Sequence, residues 1–376
     1  MNERARPWIL IVVGLAAMPI GAAGRHADAQ TSSDWPAASS TRPLSLAYPY
    51  HLGELSFPKD EGKHAASQWP LTMIEWHALY AHLRGDDGSR YLLFTTFVSY
   101  DPIEPLLQGK FPHMISTLID VGGKRTYSHR SMARLKQYAA GHADMESEKG
   151  DYFRWKGMEK PFQYALHVAW KDSQVDYSAD LDLSMLKPPL AVNGTGYIKL
   201  PKGDSGYYSQ TRLQATGQLA IDGVRKKLSG VQWVDRQWLG ASFAPDMAQR
   251  RYSYEWWALH LDNNEEAILF RIWDLRSQTV AMSLLEINHS DGTREHVVQF
   301  ALTDQPSGWR LVARNPAWDL TIKPVFPGQR VWQTCDVSGA IQGKSAKGLA
   351  VAELVREGAK IVSEVISGHR ESGKGL

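Results

Sequence analysis

Glu75-Trp76-His77-Ala78-Leu79 returns as Glu255-Trp256-Trp257-Ala258-Leu259, 180 residues further along the chain. Each copy is followed by a His and a Leu (His82, Leu83; His260, Leu261), then by a turn and an apolar run, Tyr91-Leu-Leu-Phe94 in the first and Ala267-Ile-Leu-Phe270 in the second. A later echo keeps the order: Leu183-Ser-Met-Leu-Lys187-Pro188 and Asp319-Leu-Thr-Ile-Lys323-Pro324. Matches in the same order with a drifting offset are what duplication followed by loop change leaves behind. The expectation is two related domains, residues 45–240 and 250–367, joined near 240–249, where Gly-Ala-Ser-Phe-Ala-Pro-Asp-Met-Ala-Gln carries no strand pattern.

Around the repeat the chain reads as strand. Residues 90–100 are dense in β-branched and aromatic side chains, and Gly85-Asp-Asp-Gly88 ahead of them is a turn signal, so 73–84 and 90–100 make a hairpin. Residues 207–221 and 226–233 flank Asp222-Gly223, a second hairpin. Residues 268–273, 281–288 and 296–302 continue the pattern, with Asp291-Gly292 between the last two. Short strands with close turns indicate an all-β fold, here two tandem β-barrel or sandwich domains packed together. Helical patterns are confined to 131–140 and to a terminal helix at 357–366, where Ile361, Val362, Val365 and Ile366 form a stripe ahead of Gly368.

The 376 residues carry 42 Lys+Arg against 40 Asp+Glu, a net charge of +2 that speaks against nucleic acid as a partner. Residues 1–29 read as a signal peptide: Arg4 and Arg6, an apolar run from Trp8 to Ala23, and Ala27-Asp28-Ala29 as the cleavage site. Residues 30–44, rich in Ser, Thr, Ala and Pro, read as a flexible leader. The product is expected to be exported, periplasmic or secreted, with no stable membrane span after cleavage. A single Cys, Cys335, excludes an intramolecular disulfide and reads as a buried small hydrophobe. Fourteen Trp and fifteen Tyr suit an aromatic-lined pocket for a hydrophobic small molecule, an isoprenoid or lipid. No phosphate loop, dinucleotide fingerprint, Gly-x-Ser-x-Gly or His-Glu-x-x-His is present, and the thirteen His show no metal spacing, so neither cofactor nor metal is expected.

Three segments can carry chemistry. In Glu-Trp-x-Ala-Leu, strand alternation sends Glu75 and His77 one way and Trp76 the other. A Glu inside an aromatic strand is either a solvent-facing edge residue or a buried group with a raised pKa; its presence in both copies also suits a shared structural bond. In Ser229-Gly-Val-Gln-Trp233-Val-Asp235-Arg236-Gln237-Trp238, alternation puts Trp233, Asp235 and Gln237 on one face. Asp235 either closes the strand through Arg236 or the backbone, or it is a carboxylic acid kept protonated among aromatic walls, a proton donor near neutral pH. Gly206-Tyr207-Tyr208-Ser209-Gln210-Thr211-Arg212 opens the strand paired with that one, so Tyr207 or Tyr208 can bring a hydroxyl to Asp235 or simply fill a core.

These same segments resemble a known family, the lipocalin-like proteins grouped with carotenoid 1,2-hydratase (hydroxyneurosporene synthase). The likeness runs over about residues 45–356 and is carried by Glu75-Trp76 with its hairpin, Tyr207-Tyr208-Ser209-Gln210-Thr211-Arg212-Leu213, the Gly-x-x-Trp-x-Asp segment ending at Asp235, and Trp256-Trp257-Ala-Leu. It implies two packed lipocalin-like domains with an apolar ligand site. Its carotenoid branch adds water to a terminal isoprenoid double bond without a cofactor. The family's acid matches Asp235 and the aromatic two residues earlier matches Trp233. That branch is expected to carry His and Trp where this chain has Tyr207, Tyr208 and Ser209. The leading expectation is a cofactor-independent hydro-lyase of this type. Asp235 is its acid, Glu75 or Glu255 its base, and Trp233, Tyr207, Tyr208, Trp76, Trp256, Trp257 and His77 contact the substrate. The alternatives are a non-catalytic carrier of a hydrophobic ligand and a pericyclase, whose pocket folds a polyene without committing a proton.

Overall fold

Both halves of the chain build their sheets in the same order. The structure, a computed structural model, describes residues 43–68, 72–101, 103, 111–172, 175–201, 203–240, 251–325 and 331–355. The expected signal peptide, nearly all of the leader, the joint at 241–249 and the helix at 357–366 lie outside the described residues. In the first half, Thr72–Gly85 carries the first Glu-Trp phrase and is hydrogen-bonded on one side to Arg90–Ser99, followed outward by Met114–Asp120 and Arg125–Ser131. On its other side it pairs with Val224–Gly240, then Gly203–Ile221, Asp176–Met185 and Gln163–Lys171. In the second half, Tyr252–Leu261 is flanked by Glu266–Asp274, Thr279–Asn288 and Arg294–His296 on one side. On the other side stand Lys344–Leu354, Trp332–Ile341, Trp318–Pro324, Gly308–Ala313 and Phe300–Gln305. Each sheet thus pairs its Glu-Trp strand with a late strand of the same half. The echo strands, Asp176–Met185 and Trp318–Pro324, both stand two places beyond that late strand.

The hairpins follow turn chemistry. Asp222 (φ 49°) and Gly223 (φ 81°) are both left-handed, as a two-residue turn matching strand twist requires, and they join the two longest strands among the described residues. Those strands are buried on both faces over their inner halves, so they read as continuous apolar-aromatic runs rather than a polar alternation. Two sequence expectations are corrected. Residues 131–140 form no helix: Arg125–Ser131 and Gln137–Tyr138 are strands. Met132 is exposed, so this segment has no apolar stripe that a helix would bury. Residues 296–302 are not one strand either. Arg294–His296 pairs at one end of the second sheet and Phe300–Gln305 at the other, with Val297 turned into the core between them. A chain can connect opposite ends of a sheet in three residues only if the sheet is curled.

Curling produces three large cores, beside a small cluster of Met73, Ile74, Val98, Tyr100 and Phe111. Leu79, Ala81, Leu83, Leu93, Phe97 and Tyr164 fill the hollow of the first sheet, and Trp257, Leu259, Leu269, Leu311, Leu320 and Cys335 that of the second. Cys335 is fully buried, and burial pushes its thiol up. The third core lies between the sheets and is built from the alternate residues of the same strands: Ala78, Tyr80, Phe94, Tyr207 and Trp233 from the first, Trp256, Ala258, Ile268, Phe270 and Val351 from the second. The molecule is therefore two curled half-barrels packed against each other. Each fully buried aliphatic or aromatic side chain contributes roughly 1.5–3 kcal/mol.

Candidate active site

Within the third core the sheets do not meet completely. A cavity open to solvent is left between them, with about 930 Å³ of empty space within its outline, open solvent included. Trp76, Ala78, Tyr80, Phe94 and Val98 line it from the first sheet, and Tyr252, Tyr254, Trp256, Phe270 and Ile272 from the second. Tyr80 stacks on Trp256 (centroids 5.0 Å apart, 26°) and packs on Phe94, so the wall is continuous aromatic surface. Two carboxyl groups, Asp235 and Glu353, reach into this lining from opposite sheets.

Asp235 comes from Val224–Gly240, where alternation puts it on the same face as Trp233 and Gln237. It pairs across the ladder with Ala78 on one side and Ser209 on the other. Ala78 is small, which leaves room over the carboxyl. Ser209 Oγ donates to Asp235 Oδ1 at 2.6 Å, and the Tyr207 hydroxyl donates a second bond. Tyr207 is itself fixed by accepting a 2.7 Å bond from Trp256 Nε1, a contact between the two sheets. Burial nonetheless dominates, and the nearby Glu353 charge adds to it, pushing the Asp235 carboxyl up to about 7. Asp235 thus holds a proton near neutrality in a site whose walls are aromatic faces.

Glu353 is a residue that sequence reasoning missed. It stands in Lys344–Leu354, flanked across the ladder by Trp256 and Trp332. Its Oε2 accepts from the Tyr80 hydroxyl (2.9 Å) and its Oε1 from that of Tyr254 (2.8 Å). Burial raises its pKa, and the two phenol bonds oppose that rise. One signal was available: a single Glu interrupts the apolar run Leu349-Ala-Val-Ala-Glu-Leu-Val355. Tyr80, four residues after Trp76, and Tyr254, two before Trp256, were equally missed and are the residues that hold it.

Of the sequence-predicted residues, the structure brings Asp235, Trp76 and Trp256 to the cavity lining, with Tyr207 bonded to Asp235 and Trp233 packed edge-on to Trp256. The others face the hollows of the individual half-barrels. Glu75 is buried and ion-paired with Arg236 Nη2 at 2.5 Å, with His64 beside it. Burial would raise its carboxyl, but the Arg236 and His64 charges outweigh that and hold it low. Glu255 accepts from Arg271 Nε (2.5 Å) and Trp273 Nε1 (2.6 Å) in the second half-barrel. The expectation that one of these glutamates serves the ligand cavity as a base is therefore corrected. The reason is the two-residue strand period: whatever sends Trp76 and Trp256 into the cavity sends their neighbours away from it. His77 meets Tyr138, Tyr208 packs on Phe57, and Trp257 packs on Trp309, all three outside the cavity. Among the described residues, no three His, Cys, Asp or Glu side chains are grouped to hold a metal.

A family model described as AttH-like matches residues 48–338. Among solved structures, the chain is similar to a protein from Nitrosomonas europaea described as AttH, with 18% identity and a TM-score of 0.62, over 82% of this chain and 98% of that one. It is also similar to kievitone hydratase from Nectria haematococca, with 11% identity and a TM-score of 0.56, over 83% of this chain and 97% of that one. At such identities the likeness is one of fold. No curated protein matches the chain.

Proposed function

The chain belongs to the AttH-like family, and on that premise we propose that the inter-sheet cavity adds water to a carbon–carbon double bond of a hydrophobic, isoprenoid or lipid-like substrate, without a cofactor. The carrying observation is Asp235: a carboxyl pushed up to about 7 by burial, opening onto aromatic faces. A protonated acid in such a place transfers its proton to the less substituted carbon of a trisubstituted alkene. The cation that forms is tertiary, and the faces of Trp76, Tyr80 and Trp256 stabilise it, by roughly 2 kcal/mol for each well-placed ring in a dry site. Water then attacks the cation and gives up a proton, leaving a tertiary alcohol. Kievitone hydratase, of similar fold, is a hydratase by name, which agrees with hydration as a chemistry this fold supports. The carotenoid branch is one substrate option within this reading, and export through residues 1–29 belongs to it as well.

The test is incubation of the purified protein with alkenes that end in an isopropylidene group, an acyclic terpenol and a prenylphenol, in ¹⁸O-enriched water. The expected product is a tertiary alcohol bearing one ¹⁸O, absent with D235N. Alkenes recovered unchanged after binding would leave a carrier in place of an enzyme.

A further inference from the structure

We infer that Glu353 is the second catalytic carboxyl, the base that takes a proton from the attacking water, so that the acid and the base of one reaction are supplied by different half-barrels. The inference deepens the hydratase reading and rests on it.

Its first support is position. Glu353 and Asp235 line one cavity from opposite sheets, and Tyr80 stands between them, donating to Glu353 while feeling the charge of both. A substrate lying between the sheets therefore has a carboxyl on either side. Addition of water across a double bond asks for such a division, since the proton arrives at one carbon and the oxygen at the other.

The second support is a break in the internal symmetry. Trp76 pairs with Gln237 and Ala78 with Asp235, whereas Trp256 pairs with Glu353 and Ala258 with Val351. By register, Glu353 occupies the place of Gln237, and Asp235 the place of Val351. Each half-barrel thus turns one carboxyl and one uncharged side chain toward the other sheet, at exchanged positions. A carboxyl in an apolar lining costs free energy unless it is bonded, and each oxygen of Glu353 accepts a phenol O–H. Two donors aimed at two oxygens oppose the rise that burial imposes on its pKa and place both lone-pair acceptors toward phenols rather than a cation. Glu255, on the adjoining strand, is by contrast held by Arg271 on the other face of its sheet.

The chemistry balances. Asp235 gives its proton to the alkene carbon and becomes a carboxylate. The π pair forms the new C–H bond, and a water oxygen pair forms the C–O bond to the cation. The oxonium proton passes to Glu353. Alkene and water have become alcohol, and one proton has moved from Asp235 to Glu353; its return, or exchange with solvent, resets the pair. Two interacting carboxyls that share one proton titrate as a unit.

The experiment compares wild type, E353Q and D235N on the same two alkenes in D₂O, reading alcohol formed and deuterium in the recovered alkene. Wild type is expected to form alcohol. E353Q should lose alcohol formation at least 100-fold yet still wash deuterium into the alkene, because protonation survives and capture does not. D235N should lose both. If E353Q fails to fold, E353A with added formate decides, since a small carboxylate restores a missing base and does not restore a missing strut. E353Q hydrating within threefold of wild type overturns the inference and leaves the hydratase reading intact. Loss of exchange together with hydration in folded E353Q, or no formate rescue of E353A, makes Glu353 a structural support and overturns it too. A wild type that hydrates neither alkene overturns both.

Discussion

At the scale of the residue, the argument turns on one proton. Asp235 rises from 3.8 to about 7 on folding because burial outweighs its hydrogen bonds. A carboxyl raised in this way contributes stability that is fully present below the unfolded pKa, near pH 4, and lost as pH rises through about 7. The native state therefore carries its largest penalty from Asp235 at alkaline pH, an upper bound of about 4 kcal/mol at 1.36 kcal/mol per unit. D235N should remove that penalty. Thermal melting is expected to show D235N more stable than wild type by several degrees at pH 8, with the gain shrinking to nothing near pH 4. A gain independent of pH would mean Asp235 is not protonated in the folded protein. The same proton sets activity: kcat/KM should fall tenfold per unit above about pH 7, and D235N should lose at least 100-fold in turnover at and below that pH.

At the scale of the element, strand period decides what was legible. Alternation alone placed Trp233, Asp235 and Gln237 on one face and separated Glu75 from Trp76, and the structure keeps both statements. It left unsettled which face looked at a ligand, because these strands are buried on both sides and carry no polar face to betray the outside. Glu353 was out of reach because its relation to Asp235 depends on how two sheets pack, and no local period encodes that. Gly206, in the tyrosine segment, shows a further constraint at this scale. A Cβ there would lie 1.9 Å from Trp238 Cε2. Trp238 has no room to retreat, being buried and stacked on His64 at 4.0 Å. G206A should thus push the neighbouring strands apart, costing about 1–3 kcal/mol and moving Tyr207 away from Asp235. Urea denaturation checks the first effect. The second removes a bond that holds the Asp235 carboxyl down, so the pH at which activity is lost should rise, and a profile identical to wild type would separate Tyr207 from the acid.

At the scale of the whole molecule, the cavity exists only while the half-barrels stay together, and a buried ionic cluster spans their junction. Lys187, just past the echo strand of the first half, points its Nζ at Glu266 (2.8 Å) and at the carbonyl oxygens of His289 (2.8 Å) and Asn264 in the second. Arg212 of the first half also holds Glu266, and Thr211 adds a hydroxyl bond. Glu266 and Lys187 are both buried, so nothing but these partners compensates their charge. Removing the shared anion is worse than removing one of its two cations. E266Q leaves Lys187 and Arg212 buried against a neutral amide and should cost about 3–5 kcal/mol. K187M leaves Glu266 paired with Arg212 and strands mainly carbonyl oxygens, for about 1–3 kcal/mol. Calorimetry should then show one transition in wild type and two in E266Q, as each half-barrel melts around its own core. Alkene binding at the junction should be lost before either half unfolds. The reverse order of cost, or one shared transition in E266Q with binding intact, would mean that apolar packing alone holds the junction and that the ionic cluster is a passenger in it.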